Sequence, residues 1–183
     1  MAKTALFLAN GFEEIEALTV VDLLRRQGIE ITTVSITDAV EVTGSHNITV
    51  KADTVLGKVD FSSFDMLILP GGQPGTTNLG NCKALTEELI KHNAAGKDLA
   101  AICAAPTVYG KLGLLQGKKA CCYPGCEEGL LGADVQTTEV TVDGNFITSR
   151  GMGNAIPFGL AIIERFCGKV AADDMAKKIV FNK

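Results

Sequence analysis

Tryptophan is missing from this chain of 183 residues, tyrosine occurs twice, and aromatic residues make up 5% of the total. Platforms that stack nucleic-acid bases need more aromatic side chains than that. An excess of positive charge is also absent: 17 Lys and Arg face 21 Asp and Glu, for a net charge of −4. No basic stripe is present to follow a phosphate backbone or an anionic bilayer, so neither nucleic acid nor membrane is expected as a partner. Apolar runs stop well short of the roughly 20 residues of a membrane span. The N-terminal stretch "MAKTALFLANGFEE" meets carboxylates early and lacks a signal-type cleavage site, so the chain is expected to be cytoplasmic. Pro/Ser-rich linkers, repeats and low-complexity tracts are lacking too, and a single domain over 1–183 is expected.

Several motifs are also missing. Without G-x-G-x-x-G, and with Glu13, Glu14 and Glu16 where a phosphate loop would need donors, a dinucleotide or flavin is disfavoured. Without G-x-S-x-G there is no serine elbow. The six cysteines contain no C-x-x-C pair, and no histidine lies close to the "CCYPGC" run, so no metal is expected. With no secretory signal in view, reduced thiols are expected. No cofactor is assigned.

Apolar content is 46%, enough for a substantial core. "TALFLA", "FDMLILPGG" and "DLAAIC" read as buried parallel strands. Ile15, Leu18, Val21, Leu23 and Leu24 recur at helical spacing, with Gly28 as the C-terminal cap. "VEVTGSHNITVKAD" and "TTEVTVDGNFITS" read as hairpins, and "KKACCY" as a strand. Helices are expected at about 82–95, over "APTVYGKLGLL", and at roughly 154–166 and 170–179. Alternating strands and helices imply a mostly parallel sheet covered on both faces, with ligands beyond the carboxyl ends of the strands.

Three such ends carry chemistry. Cys103 sits where a strand becomes a helix, a position whose free N–H groups favour a thiolate. It is equally readable as a buried cysteine ending a strand. "PGGQPG" offers backbone N–H groups for half of an oxyanion hole, with the Ala104 N–H as the other half. It is equally readable as a tight turn. Glu13, Glu14 and Glu16 suit a helix start on electrostatic grounds alone.

Taken in order, "NGFEEIEA", "LILPGG", "AAICAAP" and "TSRGMGNA…FGLAIIE" closely resemble the DJ-1/ThiJ/PfpI superfamily, DJ-1-like branch, over nearly the whole chain. The resemblance implies a flavodoxin-like three-layer α/β sandwich and a homodimer. It matches the reactive cysteine to Cys103 and its glutamate partner to Glu16. The backbone donors match Gly72 and Ala104, with Gly71 beside them. It departs from the resembled pattern at two places. Ala104 and Tyr123 stand where relatives carry a histidine, after the cysteine or before Pro124, which counts against a peptidase.

The implied activity is a cofactor-independent glyoxalase or deglycase acting on small aldehydes such as methylglyoxal and glyoxal. The competing reading is an oxidative-stress sensor or redox-regulated chaperone acting through Cys103 oxidation. Tyr123 and His46 are candidate pocket residues, although a loop histidine such as His46 is usually just solvated. Cys121 and Tyr123 are expected on one side of their strand and Cys122 on the other. Cys121 or Cys126 is then a candidate to resolve an oxidised Cys103. Idle thiols are the alternative. Cys82 and Cys167 are expected to pack helices, and His92 to lie on an exposed helix end.

Overall fold

The computed structural model describes residues 2–181. Its elements are β1 Lys3–Leu8, α1 Glu14–Gln27, β2 Glu30–Ser35, β3 Glu41–Thr43, β4 Thr49–Lys51, β5 Thr54–Val55 and β6 Met66–Leu69. There follow α2 Gly75–Asn81, α3 Lys83–Ala94, β7 Asp98–Ile102, α4 Pro106–Lys111, β8 Lys119–Ala120 and β9 Asp134–Val135. The chain then forms β10 Val140–Asp143, β11 Phe146–Ser149, α5 Ala155–Cys167 and α6 Lys169–Lys178.

Seven strands form one sheet in the order β10-β11-β7-β6-β1-β2-β5. Every neighbour is parallel except the β10–β11 hairpin, whose turn carries Asp143-Gly144. The central strands are apolar on both faces because both faces are covered. Along β1, Leu6 and Leu8 join the core beneath α1, α5 and α6, while Ala5 and Phe7 join the core beneath α2, α3 and α4. This is the flavodoxin-like sandwich expected from the sequence. Strand order reverses between β1 and β6, so a crevice opens at their carboxyl ends.

Helix α1 stops at Gly28, whose φ of 81° lets its N–H reach back to Leu24 and Arg25. It lies close to α5 because Gly159 has no side chain: a Cβ there would stand 2.6 Å from Leu23 Cδ1. Phe158, Ile162 and Ile163 of α5 are fully buried, each side chain contributing about 2 kcal/mol by leaving water. At the opposite end of the sheet, Arg165 grips both oxygens of Asp98, at 2.9 and 2.7 Å.

The structure corrects four expectations. "KKACCY" forms only the two-residue β8, because its next amides go elsewhere: Cys121 N–H bonds the Thr148 hydroxyl and Tyr123 N–H bonds the Cys103 carbonyl. Helix α4 ends at Lys111, short of the expected span, and Gly113 follows at φ 72°. His92 is buried rather than exposed, packed at the base of α3. Cys167 is exposed at the end of α5 instead of packing it, while Cys82 is half-buried at the junction of α2 and α3. The "PGGQPGTTN" turn also holds a helix, α2, that the sequence pattern did not indicate.

Candidate functional site

Helix α1 begins with three carboxylates that the fold puts to three uses. Glu13 is the N-cap, and its Oε2 accepts the Glu16 N–H at 2.6 Å. Glu14, almost fully buried, turns towards the β3–β4 hairpin. There its oxygens take the His46 N–H at 2.7 Å and the His46 ring Nδ1 at 2.9 Å. Glu16, 1% exposed, turns inward and accepts the Gly71 N–H on Oε2 at 2.9 Å.

The loop after β6 is tied to the start of α1 from both directions. Glu13 N–H donates to the Gly71 carbonyl at 2.9 Å, and Gly75 N–H to the Gly11 carbonyl at 3.1 Å. No side chain fits between these elements. A Cβ on Gly71 would lie 2.5 Å from Cys103 Cβ, 2.6 Å from Glu16 Oε2 and 3.0 Å from Cys103 Sγ. Gly72 adopts φ 89°, a conformation that suits glycine.

Cys103 follows β7 at φ 65°, a left-handed conformation uncommon for a residue with a Cβ. Two bonds hold it there. Its N–H donates to the Ser149 carbonyl at 2.9 Å, and its carbonyl accepts the Tyr123 N–H at 2.8 Å. The strained turn aims the half-buried thiol back over the sheet edge at Glu16, in the manner of a nucleophile elbow. The Gly72 and Ala104 N–H groups both point at its sulfur. The Gly71 N–H does not: it is spent on Glu16, so Gly71, placed beside the donors by its sequence, holds the carboxylate instead.

Burial dominates the electrostatics of this pair. It pushes the Glu16 carboxyl up to about 7, against the opposing hydrogen bond from the Cys103 thiol. Burial, then the Glu16 charge, pushes the thiol up to about 12, with the Gly72 and Ala104 N–H groups pulling the other way. The N–H groups at the helix start favour the thiolate, and burial and the Glu16 charge oppose them. Between these two values the pair carries one negative charge and shares one proton. With the proton on sulfur, Glu16 is a base in hydrogen-bond contact with a nucleophile. With the proton on Glu16, the thiolate faces two backbone donors and a carboxylic acid.

The remaining candidates fall at different distances from this chemistry. Tyr123 is joined to Cys103 by its backbone, and its half-exposed ring lies 3.3 Å from where a Gly151 Cβ would stand. That same position is 4.0 Å from Glu16 Oε1, so the ring borders the site. His46 serves Glu14 instead; its side chain is 70% exposed. The Glu14 hydrogen bond raises its pKa above the ordinary histidine value. Burial works upward on Glu14, but its bonds to His46 hold it below the usual carboxylate range.

Cys121 is buried against Thr148, and Cys126 packs on the core of α2–α4, the face opposite the core that Cys103 touches. Glu13, Glu14 and His46 bring potential metal-ligand atoms within 4.8 Å of one another, yet Glu13 and Glu14 already bind the Glu16 amide and His46. Among the described residues, Cys121, Cys122 and Cys126 form no such group.

Ser149 and Gly151 were not singled out as site residues by the sequence. Both lie in "TSRGMGNA", one holding the Cys103 backbone and the other making room for Tyr123. The Glu14–His46 clasp was likewise missed. The signal available was a lone histidine in a hairpin opposite a carboxylate-rich helix start.

Residues 2–165 match the model of the DJ-1/PfpI family. The chain is 39% identical over 182 residues to "Protein DJ-1 homolog B" of Arabidopsis thaliana, covering 98% of this chain and 42% of that relative. It therefore spans less than half the length of the plant protein. It is 35% identical over 150 residues to "Deglycase PH1704" of Pyrococcus horikoshii, covering 81% of this chain and 89% of the relative. Among solved structures, "Toxoplasma gondii DJ-1, oxidized" superposes with a TM-score of 0.96 at 36% identity, covering 100% of both chains.

Proposed function

The chain belongs to the DJ-1/PfpI family, and from that premise we propose that it is a cofactor-independent glyoxalase- or deglycase-type enzyme. Its substrates in this reading are small reactive aldehydes, methylglyoxal and glyoxal among them. The observation that carries it is Cys103 at φ 65°, its thiol hydrogen-bonded to Glu16 and faced by the Gly72 and Ala104 N–H groups. The deglycase name of the Pyrococcus relative supports the same class of chemistry.

The steps follow from the pair. Glu16 takes the thiol proton as sulfur adds to the aldehyde carbon. The new alkoxide lies at the Gly72 and Ala104 N–H groups. Glu16 returns its proton to that alkoxide, giving a hemithioacetal and regaining the carboxylate. It then carries a proton from the former aldehyde carbon to the neighbouring carbonyl carbon while the hydroxyl proton passes to the neighbouring oxygen, leaving a thioester. Water cleaves the thioester, giving the 2-hydroxy acid and the free thiol. One water is consumed and no electrons leave the system, so the balance requires no cofactor.

With Ala104 after the cysteine and Tyr123 before Pro124, no histidine at these positions serves as acid for an amine leaving group, so a peptidase is not proposed. Ile15 and Leu18 of α1 are exposed apolar residues, which supports a homodimer. No helix among the described residues is long and apolar enough to cross a membrane.

A second reading, an oxidation sensor acting at Cys103, is favoured by the half-buried thiol and by the oxidised state named for the Toxoplasma relative. Methylglyoxal consumption and lactate formation without glutathione separate the two. Turnover lost in both Cys103→Ala and Glu16→Gln supports the enzyme. A wild type without turnover, whose Cys103 is still readily oxidised by peroxide, supports the sensor.

A further inference from the structure

Away from the Glu16–Cys103 pair, Cys121, Cys122 and Cys126 form a second group of sulfur nucleophiles, all free thiols. Tyr123-Pro124-Gly125-Cys126 is a β-turn closed by Cys126 N–H on the Tyr123 carbonyl at 2.9 Å. Proline in the second place and Gly125 at φ 92° in the third have the signature of type II. Such a turn brings its first and last Cα atoms within about 7 Å, which returns Cys126 to the neighbourhood of Cys122. Both side chains pack on the α2–α4 core, whereas Cys121 is engaged with Thr148 of β11. One pair is thereby set apart from the third cysteine. Its members differ: Cys126 is half-buried, while Cys122 is 2% exposed.

The pair is also wired to the nucleophile. The Tyr123 carbonyl accepts the Cys126 N–H and, at 3.5 Å, the Cys122 thiol, while the Tyr123 N–H holds the Cys103 carbonyl. We propose that Cys122 and Cys126 are a dithiol that closes to a disulfide by exchange with a low-molecular-weight disulfide, and that closure changes the reactivity of Cys103 through Tyr123.

Cys126, the more accessible thiol, loses its proton and attacks the small disulfide, forming a mixed disulfide and releasing one small thiol. Cys122 then loses its proton, attacks the Cys126 sulfur and releases the second. Two protein thiols are oxidised and one small disulfide is reduced to two thiols. Burial, reinforced by Glu127, pushes the Cys122 thiol up to about 12, which suits the slower, resolving role. The bridge removes the Cys122 S–H from the Tyr123 carbonyl, and with it one of the bonds that hold Tyr123, whose N–H binds the Cys103 carbonyl.

The test uses the reduced chain and glutathione disulfide. Thiol titration, non-reducing peptide mapping and the alkylation rate of Cys103 by iodoacetamide are measured. The expected result is a loss of two of the six thiols, a single Cys122–Cys126 bridge, and a severalfold change in Cys103 alkylation that dithiothreitol reverses. Cys126→Ser is expected to keep its remaining thiols and the reduced alkylation rate. The mapping of wild type stands without that variant. Cys122 and Cys126 left unbridged, a bridge to Cys103 or Cys121, or a bridge with unchanged Cys103 alkylation each overturns the proposal. No readout is turnover, so the result is independent of the aldehyde reading.

Discussion

Glu16→Gln keeps the shape of the side chain and removes its charge. The wild-type carboxyl titrates at about 7 against an ordinary 4.5, chiefly because it is buried. At about 1.4 kcal/mol per unit, that difference is worth about 3 kcal/mol. The folded protein holds the proton more tightly than the unfolded chain. The contribution is therefore fully present below pH 4.5 and is lost as pH rises through 7. Urea denaturation of both proteins at about pH 5 and about pH 8 measures it. Wild-type stability is expected to fall by about 2.5 kcal/mol more than that of the variant across this range, because at pH 5 the unfolded carboxyl is already partly ionised. Two parallel pH profiles would refute the buried-carboxylate argument.

The same substitution separates reactivity from catalysis. Without the Glu16 charge and hydrogen bond, the Cys103 thiol falls from its position near 12, and its alkylation by iodoacetamide at about pH 8 quickens. Turnover nevertheless drops by about 10²–10⁴-fold, because the proton carrier is gone. A variant slow in both assays would contradict the assignment.

Gly71→Ala is expected to cost about 1–3 kcal/mol in thermal or urea unfolding and to abolish turnover, since its methyl lands on Cys103 and Glu16. Tyr123→Phe is expected to leave the steady-state kinetics unchanged; a slowed variant would put the tyrosine hydroxyl in the reaction. NMR titration of the histidine rings should find His46 above its ordinary pKa, raised by the Glu14 hydrogen bond, and His92 below it, lowered by burial. Asp98→Asn weakens the two-point grip of Arg165 and is expected to cost about 1–2 kcal/mol in denaturant.

The central strands were legible because double burial leaves near-continuous apolar runs, as in β1, β6 and β7. Both hairpins were legible from their turns and alternation. Cys103 and Glu16 stood out at strand ends, and four ordered motifs linked them. Other features were set by partners distant in sequence. "KKACCY" has strand composition, but Thr148 and the Cys103 carbonyl claim its amides. His92 has the look of a surface histidine until α3 packs down on the sheet. The shared proton between Cys103 and Glu16 depends on the burial of both groups, and no local pattern reports that.

The left-handed backbone at Cys103 also constrains how this gene can drift. Substitutions with a branched Cβ, such as Val, Ile or Thr, would meet a steric penalty before any question of chemistry arose. Glycine fits that backbone without strain, and asparagine is among the residues that best tolerate it. A duplicated copy released from selection for its thiol would therefore keep its architecture most readily through those replacements. Glycine or asparagine at this one site, in an otherwise intact relative, would mark a lineage that has kept the scaffold and abandoned the nucleophile.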